Sequence, residues 1–161
     1  MKKIIYILLL IIIFTNNSFS AATDSGSSDG TSSYTKAYNL IKHAKKYEKK
    51  GKAEKAQKRY KKAQKLLLKS NKEKPLQADT LNYLGFTTRK LGDYKKGEEF
   101  YLLGLKINPN HKGINEYLGE LYVATNRINL AKERLEILKD CNCEEYGDLK
   151  EIIEGTKKSK Y

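Results

Sequence analysis

The sequence predicts an all-α chain, on three observations. Apolar and small residues recur at steps of three and four from Tyr34 to Ile153, which puts each set on one face of a helix. No stretch alternates apolar and polar residues between turn signals, as a half-buried strand would. The chain also resembles itself at a shift of 34 residues: Leu84-Gly85 falls on Leu118-Gly119, residues 91–94 on 125–128, and Tyr101 on Leu135. A repeat of that length is one supersecondary unit that buries its apolar face only by stacking on its neighbours.

The ends come first. At 161 residues, 39% hydrophobic and 32% charged, the chain has the size and composition of one ordinary domain plus its termini. Lys2 and Lys3 precede an unbroken apolar run over residues 4–14, and a polar stretch then closes on small residues. That order predicts a secretory signal peptide over residues 1–20, cleaved after Ser20 or Ala22. An apolar run of eleven residues is short of the roughly twenty that a bilayer core of about 30 Å requires, which favours a signal over an uncleaved anchor. No Cys stands at the exit for lipid attachment. The expectation is an exported, periplasmic protein with no transmembrane helix in the mature chain. Residues 21–33 are Ser, Gly, Asp, Thr and Ala almost throughout and predict a flexible leader.

The elements follow in order. Tyr34, Tyr38, Ile41, Ala44 and Tyr47 make the buried stripe of a first helix, and Ala53, Ala56, Tyr60, Ala63 and Leu67 that of a second, with Gly51 between them and Pro75 after. Residues 78–111 repeat the pattern with Leu81, Leu84-Gly85, Gly92-Asp93-Tyr94, Tyr101 and Pro109, and residues 112–143 with Leu118-Gly119, Tyr122, Ala131 and Leu135. Gly92 then Asp93 is the stop-then-N-cap order of a helical hairpin, and Asn126 can take the glycine's part because Asn tolerates the left-handed region. Gly51 precedes Gly92 by 41 residues, so the first unit, residues 34–77, carries seven extra residues in its second helix. Tyr146, Leu149, Ile152 and Ile153 predict a final amphipathic helix over residues 144–157, within a capping segment 144–161.

These residues resemble the tetratricopeptide repeat, most fully over 78–111. The resemblance implies a right-handed superhelical array of about three helix-turn-helix units plus a C-terminal capping helix. It places Gly85 and Gly119 where two helices cross, with Gly97 and Gly104 at positions where the family prefers Ala. These glycines serve close packing or open a pocket. The resemblance also implies a protein-protein interaction module or scaffold, in which the first helices line a concave groove for a peptide or partner helix. Groove positions carried over are Asp79, Asn82, Phe86, Arg89 and Lys90 in the second unit and Glu116, Glu120 and Val123 in the third; Ile41, Lys45, Glu48 and Lys49 belong to the first. Phe86 is the expected anchor, since aromatic residues dominate interface energetics. The Lys and Asn pattern that clamps a terminal carboxylate in some members is not reproduced. The ending "CNCEEYGDLK" is similar to that of a group of small exported bacterial tetratricopeptide proteins, though there the cysteines stand further apart.

Cys141 and Cys143 are the two cysteines of the chain. In an exported protein they read as a disulfide, with a redox pair and a metal site as the alternatives. Charge is confined: residues 36–74 hold sixteen Lys or Arg against three Asp or Glu, while residues 75–161 hold fourteen of each. Lys55, Lys58, Arg59, Lys61, Lys62, Lys65 and Lys69 form a basic patch on the second helix. It is a solvated face, or an electrostatic adaptor for an anionic envelope surface, polymer or acidic protein. Tyr60 is the lone aromatic on that helix and lies in its packed stripe, which argues against nucleic acid. No phosphate loop, nucleophile elbow or His-Glu-x-x-His is present, so the expectation is no enzyme and no cofactor. The expected partner is a protein or peptide, with an acidic one favoured by the basic unit.

Overall fold

The computed structural model describes residues 31–159; the predicted signal peptide and most of the leader lie outside them. Among the described residues there are seven helices and no strand: α1 Ser33–Lys49, α2 Ala53–Glu73, α3 Ala78–Lys90, α4 Tyr94–Ile107, α5 Lys112–Ala124, α6 Ile128–Leu138 and α7 Glu144–Ile153. None is long and apolar enough to cross a membrane.

Three hairpins close in the same way. Gly51 at φ +68°, Gly92 at +97° and Asn126 at +58° each occupy the left-handed region just past a first helix. The next N–H in each case reaches back five residues: Lys52 to the Tyr47 carbonyl at 2.9 Å, Asp93 to Thr88 at 3.2 Å, Arg127 to Tyr122 at 2.7 Å. This closure satisfies the carbonyls that a helix end leaves orphaned. Asp93 then caps α4, accepting from the Lys96 N–H at 2.9 Å, and Ser32 caps α1 through the Thr35 N–H.

The helices pair as α1 with α2, α3 with α4 and α5 with α6; α2 stacks on α3, α4 on α5, and α7 covers α5 and α6. The result is an all-α helical repeat array with one continuous core from Ala37 to Ala131, Leu67, Leu84, Tyr101, Ile114 and Leu121 among its members. α2 has 21 residues and α4 has 14, as the spacing of the turn glycines predicts. The last helix is shorter than expected and ends at Ile153 rather than near 157. Gly155 at φ +75° turns the chain, and the N–H groups of Thr156 and Lys157 close on the Glu151 carbonyl.

Gly85, Gly97 and Gly119 are sites of close contact. A Cβ on Gly85 would stand 2.4 Å from the ring of Tyr101, one on Gly97 3.1 Å from the Gly85 carbonyl, and one on Gly119 2.5 Å from the Leu149 side chain. Tyr101 is fully buried and has no room to retreat. Gly85→Ala is therefore expected to destabilise by about 1–3 kcal/mol through overpacking, outweighing a propensity gain of about 1 kcal/mol. Gly147→Ala, on α7 with open space around it, keeps the propensity gain alone. Urea titration of both variants checks the contrast.

Candidate interaction face

α1, α3 and α5 lie side by side, α3 touching both others. On this row Phe86 is 1% exposed, its ring 5.7 Å from Tyr60 and 5.1 Å from Tyr117. The Lys45 ammonium lies 4.6 Å over the Phe86 ring and donates to the Tyr117 hydroxyl at 3.0 Å. Glu48 gathers the Tyr60 hydroxyl at 2.8 Å and the Lys90 ammonium at 2.7 Å. Burial first, and then the Glu48 hydrogen bond, pushes the Tyr60 phenol far up; burial and then Glu116 do the same to Tyr117. Both phenols therefore stay neutral. Lys45, Glu48, Lys49 and Phe86 line a cavity of about 430 Å³: an aromatic floor under ammonium groups.

Beneath the row lies a buried ion pair. Arg89 is enclosed, its Nη1 donating to the Tyr117 carbonyl at 2.7 Å and its Nη2 3.6 Å from the Glu120 carboxylate, neither side chain reaching solvent. The rings of Tyr101 and Tyr117 flank the guanidinium at 5.8 and 5.9 Å. Burial draws its pKa down, opposed by Tyr101 and then Glu120.

The groove positions carried over from the family are thus corrected in one respect. Asn82, Phe86, Arg89, Glu116 and Glu120 are each no more than 5% exposed, so they form the floor and core of the row instead of side chains held out to a partner. Lys90 and Val123 are half-buried. The physical reason is position: α3 is packed by α2, α4, α1 and α5 together, so its polar-looking face is also enclosed. Lys45, Glu48 and Lys49 on α1 supply the accessible polar rim. Tyr117, which the repeat pattern does not single out, joins Lys45 to the floor.

A second hollow on the same row, about 720 Å³, is lined by residues that include Asp79, Asn82, Tyr83, His111, Glu116 and Glu145. His111 accepts the Ile114 N–H at Nδ1, 3.2 Å away, so Nε2 carries the proton and donates to Asp79 at 3.1 Å.

On α2, Lys55, Lys58, Lys61, Lys62, Lys65 and Lys69 are exposed and Arg59 is half-buried, its guanidinium 5.9 Å from the Tyr47 ring. Lys58 pairs with Glu54 at 3.0 Å and Lys69 with Glu73 at 3.8 Å, all four side chains at least half exposed, and such pairs contribute little. Tyr47, Lys55, Lys58, Arg59 and Lys62 surround a hollow of about 350 Å³. Cys141 and Cys143 are joined as a disulfide with Cα atoms 5.3 Å apart, at the junction of α6 and α7, and Asn142 between them has φ +46°. So small a loop contributes little chain-entropy stabilisation and fixes a local bend.

No family model matches the chain. It is 38% identical over 73 residues to the Sol locus transcriptional repressor of Clostridium acetobutylicum, a match that covers 43% of this chain and spans 23% of that relative's length. Among solved structures it is similar to the first tetratricopeptide domain of Spaghetti (RPAP3), bound to an HSP90 peptide SRMEEVD, with a TM-score of 0.49, 20% identity, and coverage of 78% of this chain and 96% of that one. The repeat itself rests on this chain's own geometry, three helical hairpins with one shared left-handed closure.

Proposed function

We propose that this chain is an exported interaction module of the tetratricopeptide kind, which holds a peptide or partner helix along the row of α1, α3 and α5 and has no catalytic activity of its own. The observation that carries the reading is the cavity of about 430 Å³ lined by Lys45, Glu48, Lys49 and Phe86, with the Lys45 ammonium over the Phe86 ring. The ammonium groups at its rim select an acidic side chain. Export is supported by the signal-like order of residues 1–20 and by a cysteine pair that suits an oxidising compartment. The test is titration of a labelled acidic peptide against the protein and its Lys45→Glu/Lys49→Glu variant. A loss of at least about tenfold, with unchanged circular dichroism, is expected; equal affinity overturns the reading.

The basic face of α2 supports a second reading, an electrostatic adaptor. Its observation is the hollow in which Lys55, Lys58, Arg59 and Lys62 surround Tyr47, a concentration of charge that attracts polyanions. Binding to polyglutamate is expected to weaken steeply between low and moderate salt, and reversal of Lys55, Lys58 and Lys62 to Glu is expected to abolish it. Binding that ignores both changes excludes this face.

A further inference from the structure

We infer that the docking row is charge-polarised, with a subsite for a basic side chain beside Asp79 and Glu145, so that the protein selects a peptide carrying an acidic and a basic residue about 10 Å apart. The inference rests on the row of α1, α3 and α5 being the docking surface.

The second hollow, about 720 Å³, is bordered by three carboxylates, Asp79, Glu116 and Glu145, and by Lys112 and His111. Lys112 turns its ammonium to the Cys141 carbonyl at 3.4 Å, and His111 is held between Asp79 and the Ile114 N–H. The balance at this end is negative. At the other end Lys45, Lys49 and Lys90 outnumber Glu48.

Two further observations point to a donor-bearing cation. Asn82 borders the hollow, is 4% exposed, and has no hydrogen-bond partner at Oδ1. A buried carbonyl without a donor is costly, and an ammonium or guanidinium N–H supplies one. Tyr83, also on the hollow, packs against Tyr38 at 5.4 Å and Tyr34 at 6.0 Å between ring centroids. The Tyr83 ring offers a face of the kind that attracts cations. It remains uncharged, its phenol raised by burial above all. The N-termini of α3 and α7 lie close by, and each carries a carboxylate in its first turn, Asp79 and Glu145. Those acids offset the positive helix ends.

Spacing completes the argument. Asp79 and Phe86 both belong to α3, seven positions apart and hence on one face, which is about 10 Å along the axis at 1.5 Å per residue. An extended peptide covers that distance in about three residues.

The test uses fluorescence anisotropy with three labelled Gly/Ser peptides of equal length: one with Glu and Lys three positions apart, one with Glu alone, and one with two Glu at the same spacing. Expected is at least about tenfold tighter binding of the Glu/Lys peptide than of the Glu peptide, and in Asp79→Asn/Glu145→Gln the two peptides bind alike. Equal binding of the Glu/Lys and Glu peptides, or tightest binding of the double-Glu peptide, overturns the polarised subsite and leaves the docking row standing. Failure of all three peptides to bind overturns the row and the subsite together.

Discussion

Arg89→Ala is expected to lower the unfolding free energy by about 3–5 kcal/mol, the range for leaving one member of a buried ion pair uncompensated. Arg89 and Glu120 are both shut off from solvent, 3.6 Å apart, and the guanidinium also donates to the Tyr117 carbonyl at 2.7 Å. Its removal takes the guanidinium from the carboxylate and a donor from the Tyr117 carbonyl. The pair is a device for fixing α3 against α5, and its net stabilisation is small, because desolvation of two charges offsets most of their attraction. Replacing both members by apolar residues of similar volume, Arg89→Met with Glu120→Leu, should therefore recover most of the loss. Urea unfolding of the single and double variants measures this directly. A single variant within about 1 kcal/mol of the parent would mean that water reaches the pair.

Phe86→Ala should cost about 3–5 kcal/mol, the range for truncating a buried aromatic. The ring contacts Tyr60 and Tyr117 and carries the Lys45 ammonium, so its loss leaves a void under a charge. Thermal unfolding monitored by circular dichroism reads the effect, and Phe86→Leu, which keeps most of the volume, should retain the larger part of the stability. This alters how binding to the row must be tested. Loss of a partner from Phe86→Ala would report unfolding as much as contact, whereas Lys49→Glu changes an exposed rim position and leaves the Phe86 contacts in place.

Much of the fold is legible in the sequence because its signals are local. Gly51, Gly92 and Asn126 mark the three hairpin closures, Asp93 the cap of α4, and the distance between turn glycines the extra length of α2. The enclosure of the row is not local. Arg89 and Glu120 lie 31 positions apart in the sequence, and each read alone is a charge that belongs in water. Only their meeting inside the array, between helices of successive units, makes either tolerable. Phe86 is misjudged for a related reason. A helix packed on four sides keeps little wet surface, with Asp79 its exposed position, so the pattern that separates core from surface on α2 fails on α3.

The uneven spread of charge also sets the order in which the array comes apart. An array of stacked units unfolds by losing neighbours, and its end units go first. Here one end unit carries thirteen more cations than anions over residues 36–74, and their mutual repulsion acts on the folded, compact form more than on the open chain. The first hairpin is thus where unfolding is expected to start, and added salt, which screens this repulsion, is expected to delay it.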